Sequence, residues 1–96
     1  MNDAPADDVR SAAERLHDHL AATAQLPVER RARRLLGEAE AVAGDMRACE
    51  DAVVVERAAV LTDLLGEIEA TGDGRADAHL ARARALAEDL ARREAR

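Results

Sequence analysis

Residues 26–49 read LPVERRARRLLGEAEAVAGDMRAC. Within this stretch Val28, Ala32, Leu35, Ala39, Val42, Met46 and Cys49 recur at alternating spacings of four and three, which places them on one line of an α-helix. A strand would need apolar residues at every second position, and the stretch has no such alternation. Pro27 suits the first position of this helix, because its ring presets φ and its missing N–H is one that a helix start leaves unbonded anyway. Leu26 precedes that proline and is pushed out of the α region, so a preceding helix should end near Gln25.

The same rhythm recurs on both sides. Upstream, Val9, Ala13, Leu16, Leu20 and Thr23 or Ala24 form one stripe, on a helix expected to start near Pro5 with Asp7 and Asp8 at the positive end of its dipole. Downstream, a turn falls around Ala48 to Asp51, with Asp51 as a candidate N-cap and Gly44 as an alternative, earlier end for the second helix. The third helix carries Val54, Ala58, Leu61, Leu65 and Ile68 on one line with Val53, Val60 and Leu64 beside it, an apolar arc of about 200° on a helical wheel. Such an arc should make it the most buried of the helices. Thr71, Gly72, Asp73 and Gly74 punctuate the chain: Gly72 suits a left-handed residue closing the third helix, and Asp73 a following N-cap. A fourth helix from about Gly74 to the end has a narrower stripe of Ala76, Leu80, Ala83, Ala87 and Leu90, flanked by Leu86, and should fray in its last turns.

Four amphipathic helices with short connections predict an all-α, four-helix up-down-up-down bundle; the same helices could instead form two helical hairpins completed by dimerisation. Length allows one helical domain over 1–96, with residues 1–5 a short flexible N-terminus. Ala accounts for 24 of the 96 residues, against 11 Leu, 7 Val and 1 Ile. This composition stabilises helix locally but supplies a thin core.

Charge and composition exclude several functions. The chain has no aromatic residue, so stacking platforms for single-stranded nucleic acid are absent. All 14 basic residues are Arg against 20 acidic ones, and the net charge of −6 opposes generic nucleic-acid or membrane-surface binding. No apolar run approaches the length of a spanning helix, the acidic start MNDAPADD does not resemble a signal peptide, and the single Cys49 cannot form an internal disulfide; a cytoplasmic location is expected. The acidic, lysine-free composition fits either a GC-rich genome or a salt-rich cytoplasm, where screening removes repulsion between carboxylates.

Candidate functional residues cluster on the second helix. Arg30, Arg31, Arg33 and Arg34 lie on the face opposite the apolar stripe, in the first turns, where positive charge opposes the helix dipole. They can contact an anion or an acidic partner, or form a solvated face with Glu29–Arg33 and Arg34–Glu38 as ordinary ion pairs. Along the same back face run Gly37, Ala41, Gly44 and Ala48. Each helix-interior glycine costs up to about 1 kcal/mol relative to alanine, so the pair at heptad spacing suggests close approach of another helix, unless it only reflects codon habit. Arg30, Arg34, Gly37, Ala41 and Gly44 are thus the candidate interaction surface.

His17 and His19, two apart, point to different sides of their helix. A metal site would require His79 and one of them to converge with Asp18 or Cys49, whereas edge histidines need no such partner. Cys49, beside Glu50 and Asp51, reads as a small buried hydrophobe rather than a nucleophile. No catalytic constellation, metal motif or cofactor-binding loop stands out, so no enzyme activity and no cofactor are expected.

HLAATAQLPVERRARRLLGEAEAVAGD (19–45) and LLGEIEATGDGRADAHLARARALAEDL (64–90) together resemble segments of small uncharacterised haloarchaeal helical proteins. The resemblance implies a compact helical domain in a salt-rich cytoplasm and carries no activity. The leading expectation is a structural or protein-interaction module that self-associates as a homodimer or binds another protein. The alternative is a nucleic-acid-associated or regulatory protein using the Arg30 to Arg34 patch.

Overall fold

The first helix begins where a side chain closes its open end. Asp8 is extended (φ −72°, ψ 171°) and its carboxylate accepts from the Ser11 N–H at 2.7 Å. That bond, with Arg10 and Arg93 nearby, holds the Asp8 carboxyl below the usual carboxylate range. The computed structural model describes residues 8–93, and their helices are α1 (Val9–Thr23), α2 (Arg30–Met46), α3 (Asp51–Gly66) and α4 (Gly74–Arg92). The expected start of α1 near Pro5 is therefore corrected to Val9. Pro5, Asp7 and the short N-terminus lie outside the described residues.

The helices form an up-down four-helix bundle. α1 packs on α2 and α4, α3 packs on the same two, α1 touches α3 across the diagonal, and α2 and α4 do not meet among the described residues. One chain closes the bundle through its α1/α4 seam, so the alternative of two hairpins waiting for a partner does not apply. Leu16, Leu20, Met46, Leu61, Leu65, Leu80 and Leu90 are fully buried, each contributing about 1.5–3 kcal/mol. Leu35, Leu36, Val54 and Ile68 are buried as well, and Ala12, Ala13, Ala32, Ala39, Ala43, Ala58, Ala76, Ala83 and Ala87 fill the rest, so closely approaching backbones contribute to the core alongside side-chain volume.

Pro27 does not open α2. Residues 27–29 stay outside the helix, and Glu29 at its N-cap is extended (φ −68°, ψ 161°). A tertiary bond explains this, because the Glu29 N–H donates to the Thr71 carbonyl at 2.8 Å and ties the first connection to the last. The buried line of α2 is Ala32, Leu35, Leu36, Ala39, Ala43 and Met46, while Val28, Val42 and Cys49 pack only partly against it. A straight helix of 3.6 residues per turn drifts off a seven-residue stripe, which is why Leu36 and Ala43 join the core.

Gly44 does not end α2, and the next turn spans Arg47–Glu50. Glu50 rather than Asp51 is the N-cap of α3, with Asp51 as its first helical residue. α3 is not the most buried helix. Its apolar residues are spread too widely for one face to collect, and Val60 is left 53% exposed. The line Val54, Ala58, Leu61, Leu65 and Ile68 is buried as expected, although Ile68 lies beyond the helix end.

The α3–α4 junction is the most densely bonded turn. Gly72 takes φ +88°, a region that favours glycine, but it sits six residues beyond the end of α3 and so closes the loop rather than the helix. Asp73 is the N-cap of α4, accepting from the Arg75 and Ala76 N–H groups at 2.9 and 3.1 Å. The Arg75 guanidinium foremost, then the Ala76 N–H, hold its carboxyl below the ordinary range. The wholly buried Thr71 donates its N–H and hydroxyl to Asp77 Oδ1 at 2.9 and 2.8 Å. α4 continues without a break to Arg92.

Candidate functional site

The four arginines at the start of α2 have separate fates. Arg33 turns back and donates to the carbonyls of Ala24 and Leu26, closing the end of α1. Arg31 reaches Glu67 at 3.8 Å, with both side chains more than half exposed, so the pair contributes little to stability. Arg30 and Arg34 are exposed and make no hydrogen bond or ion pair among the described residues. The expected pairs Glu29–Arg33 and Arg34–Glu38 do not form: Arg33 is taken by backbone carbonyls, which a helix C-terminus presents without partners.

The small residues also separate. Gly37 is exposed, with no atom within 4 Å of the position a Cβ would take, and Ala41 is exposed as well. Gly44 faces α1 instead, where the His17 ring stands 3.7 Å from the position a Cβ would take. Close helix approach thus accounts for Gly44 and leaves Gly37 and Ala41 on the outer surface.

Beside Ala41 lies a shallow groove between α2 and α3, floored by Val42, Val60 and Leu64 and rimmed by Glu38, Asp63 and Glu67. Val60 is the exposed large hydrophobic residue of the described chain. The periodicity of α3 placed Val60 beside its buried line; the signal that it faces outward is that α3 carries more apolar residues than one face holds. A second cleft, of about 380 Å³, opens at one end of the bundle between Glu29, Arg31, Glu67, Glu69 and the apolar Leu35 and Ile68.

On the opposite seam, α1 and α4 bring two of the three histidines together. His19 Nδ1 lies 3.0 Å from His79 Nδ1, with ring centroids 5.3 Å apart and planes tilted by 45°. Burial foremost, then the His79 ring and the guanidiniums of Arg82 and Arg15, hold His19 below the usual imidazole value, while Asp18 acts in the other direction. His17 is separate, its Nδ1 buried without a hydrogen-bond partner among the described residues. The Cys49 thiol, half-buried against the core, donates to the Asp45 carbonyl at 3.3 Å. Among the described residues no three His, Cys, Asp or Glu side chains are grouped to hold a metal ion, so Asp18 and Cys49 do not complete the histidine pair.

Sequence reading missed Arg84. Its guanidinium crosses from α4 to donate to the Leu65 carbonyl at 2.8 Å and to the Ile68 carbonyl, closing the end of α3 as Arg33 closes that of α1. Nothing in the local sequence distinguishes it from its solvated neighbour Arg82.

An all-α bundle with a groove between α2 and α3, and with Arg30 and Arg34 uncommitted near it, defines a small helical domain, and no described helix is long and apolar enough to cross a membrane. Residues 12–96 match the model of a domain of unknown function (DUF8152), and the chain belongs to that family. No curated protein and no solved structure matches it.

Proposed function

We propose that this domain is a protein-interaction module that associates with a second copy of itself through the outer face of α2 and the groove beside it. The observation that carries the reading is Val60, 53% exposed, on the same groove as Val42 and Leu64 and next to the bare surface of Gly37 and Ala41. Charge supplies the geometry. Arg30 and Arg34 occupy the first half of the outer face of α2, while Glu38 and Asp45 occupy the second. Two copies related by a two-fold axis near Gly37, with α2 antiparallel to α2, set opposite charges against each other. Small residues at the centre let the backbones approach, and Val60 of each copy is covered at the flank.

Sedimentation velocity at high micromolar concentration tests this directly. A dimer is expected that Val60→Arg dissociates and Arg34→Glu weakens, with Glu38→Arg added to Arg34→Glu restoring it. A strict monomer at both low and high salt defeats the reading. The nucleic-acid alternative retains Arg30 and Arg34 as free cations, because Arg33 and Arg31 are otherwise engaged. It requires binding that weakens with salt and disappears when Arg30 and Arg34 become Gln.

The acidic surface fits work in concentrated salt. Thermal stability followed by circular dichroism should then rise between about 0.1 M and 2 M salt, as the screening length falls from about 10 Å to a few Å or less. A flat profile would leave genome composition as the sufficient cause.

A further inference from the structure

Self-association through α2 leaves the seam between α1 and α4 untouched. There His19 and His79 bring Nδ1 to within 3.0 Å of Nδ1. Their ring centroids are 5.3 Å apart, about as far as so short a contact allows, so both nitrogens lie on the line between the rings. That is the straight geometry of a hydrogen bond. In a neutral pair one Nδ1 carries the proton and the other is bare, with the proton of its own ring on Nε2. Both rings are half-buried, and each is next in sequence to a buried leucine, Leu20 or Leu80, so the packing of the seam fixes the backbone positions from which they meet.

A bond of this kind responds to the number of protons on the pair. With none added, the Nδ1–H of one neutral ring donates to the bare Nδ1 of the other. With one added, an imidazolium donates to a neutral imidazole, and such a charge-assisted bond is roughly twice as strong as a neutral one. With two, both Nδ1 atoms carry hydrogen, no acceptor remains, and two like charges face each other. We propose that His19 and His79 form a proton-counting latch across the α1/α4 seam: it holds with zero or one added proton and is released by the second, so mild acid loosens the junction of α1 with the first half of α4.

The surroundings make the second proton the difficult one. Burial foremost, then His79, Arg82 and Arg15, hold His19 toward its neutral form, and Asp18 opposes them. These groups stand on α1 and α4, and none of them comes from α2 or α3, the helices packed against those two. Arg75, one turn before His79, is engaged by Asp73 at 3.1 Å. Two guanidiniums against one carboxylate thus weigh against a doubly charged pair. Once the rings part, α4 rests on the bundle at this level through the packing of the buried Ala76, Leu80 and Ala83.

The test is a pH titration of the tag-free full chain followed by imidazole ¹⁵N resonances. His19 and His79 are expected to titrate as a coupled pair in two separate steps. A scalar coupling between the two Nδ1 nuclei, transmitted through the hydrogen bond, should be present at neutral pH, persist through the first step and vanish in the second. His17, whose Nδ1 has no partner among the described residues, should show none. Amide exchange over 79–83, corrected for its intrinsic pH dependence, should accelerate across the second step by about two- to tenfold, the factor that the loss of one net hydrogen bond gives. These readouts use the wild-type chain and do not depend on a variant folding. In His79→Gln the remaining His19 should titrate in one step, with the acceleration at 79–83 abolished. Absence of the coupling at neutral pH, its loss in the first step, or exchange at 79–83 that is indifferent to the second step overturns the proposal. Val60→Arg should leave all of this unchanged whether or not it removes a dimer, which separates the latch from self-association.

Discussion

The bundle has two opposite seams that are closed to different degrees. Between α1 and α4, the most extensive packing in the molecule, Ala12, Ala13, Ala76, Ala83 and Ala87 alternate with Leu16, Leu20, Leu80 and Leu90, and all of these are buried. Small residues let the backbones approach while each leucine fills the gap beside them. Between α2 and α3, the packing is less extensive, and Val42 and Leu64 are only half-buried while Val60 faces outward. Branched residues spread around α3 hold it away from any single closed face. The composition that makes one seam tight leaves apolar surface unspent on the other, where a partner can use it.

Core truncation should break the contrast most visibly. Leu20→Ala at the closed seam is expected to cost about 2–5 kcal/mol in urea denaturation of the monomer, whereas Val60→Ala should stay within about 0.5 kcal/mol under the same dilute conditions. Comparable losses would mean that the α2/α3 groove is core after all. The bonded junction beyond α3 comes next: Gly72→Ala forces a side chain into φ +88° and should cost about 1 kcal/mol or more in the same assay.

Acid should act on the closed seam. In the folded chain the His19 imidazole sits below its ordinary value of 6.5, through burial first and His79 second, so the unfolded chain binds the proton more tightly. Its contribution is fully present above about pH 6.5 and is lost as the pH falls toward the folded value. The urea midpoint should therefore fall from neutral to mildly acidic buffer, and fall less in His19→Gln, which keeps the carboxylates but removes this proton site. An equal fall in both proteins would deny the seam its part.

The smallest effects sharpen the picture of α2. Gly37→Ala meets open space, and Gly44→Ala meets His17 at ordinary contact distance. Each should raise stability by about 0.5–1 kcal/mol. Concentration dependence then separates them, because a Cβ at Gly37 lies in the proposed dimer contact and should weaken association, while one at Gly44 lies inside the bundle and should not.

Helix number, the buried lines of α1, α3 and α4, and the Asp73 cap that starts α4 were legible because each depends on residues within a turn or two of one another, whereas Gly72 closes the loop and not α3. Arg30, Arg34 and Ala41 were found on the outer face of α2 by the same periodicity, though Gly44 belongs to the α1 contact.

What the amino-acid order determined by itself is the set of amphipathic rods and the places where they stop, since helical periodicity, left-handed glycine and side-chain caps act over three or four positions. Tertiary structure alone decided which rod is left partly bare, which arginines are consumed and which histidines meet. Arg84 finds its carbonyl 19 positions away, His19 finds His79 at a separation of 60, and Glu29 is drawn out of a helix by Thr71. Such pairings depend on the rotation of each helix about its own axis within the bundle, and that rotation is set by the packing of leucine against alanine across every seam at once.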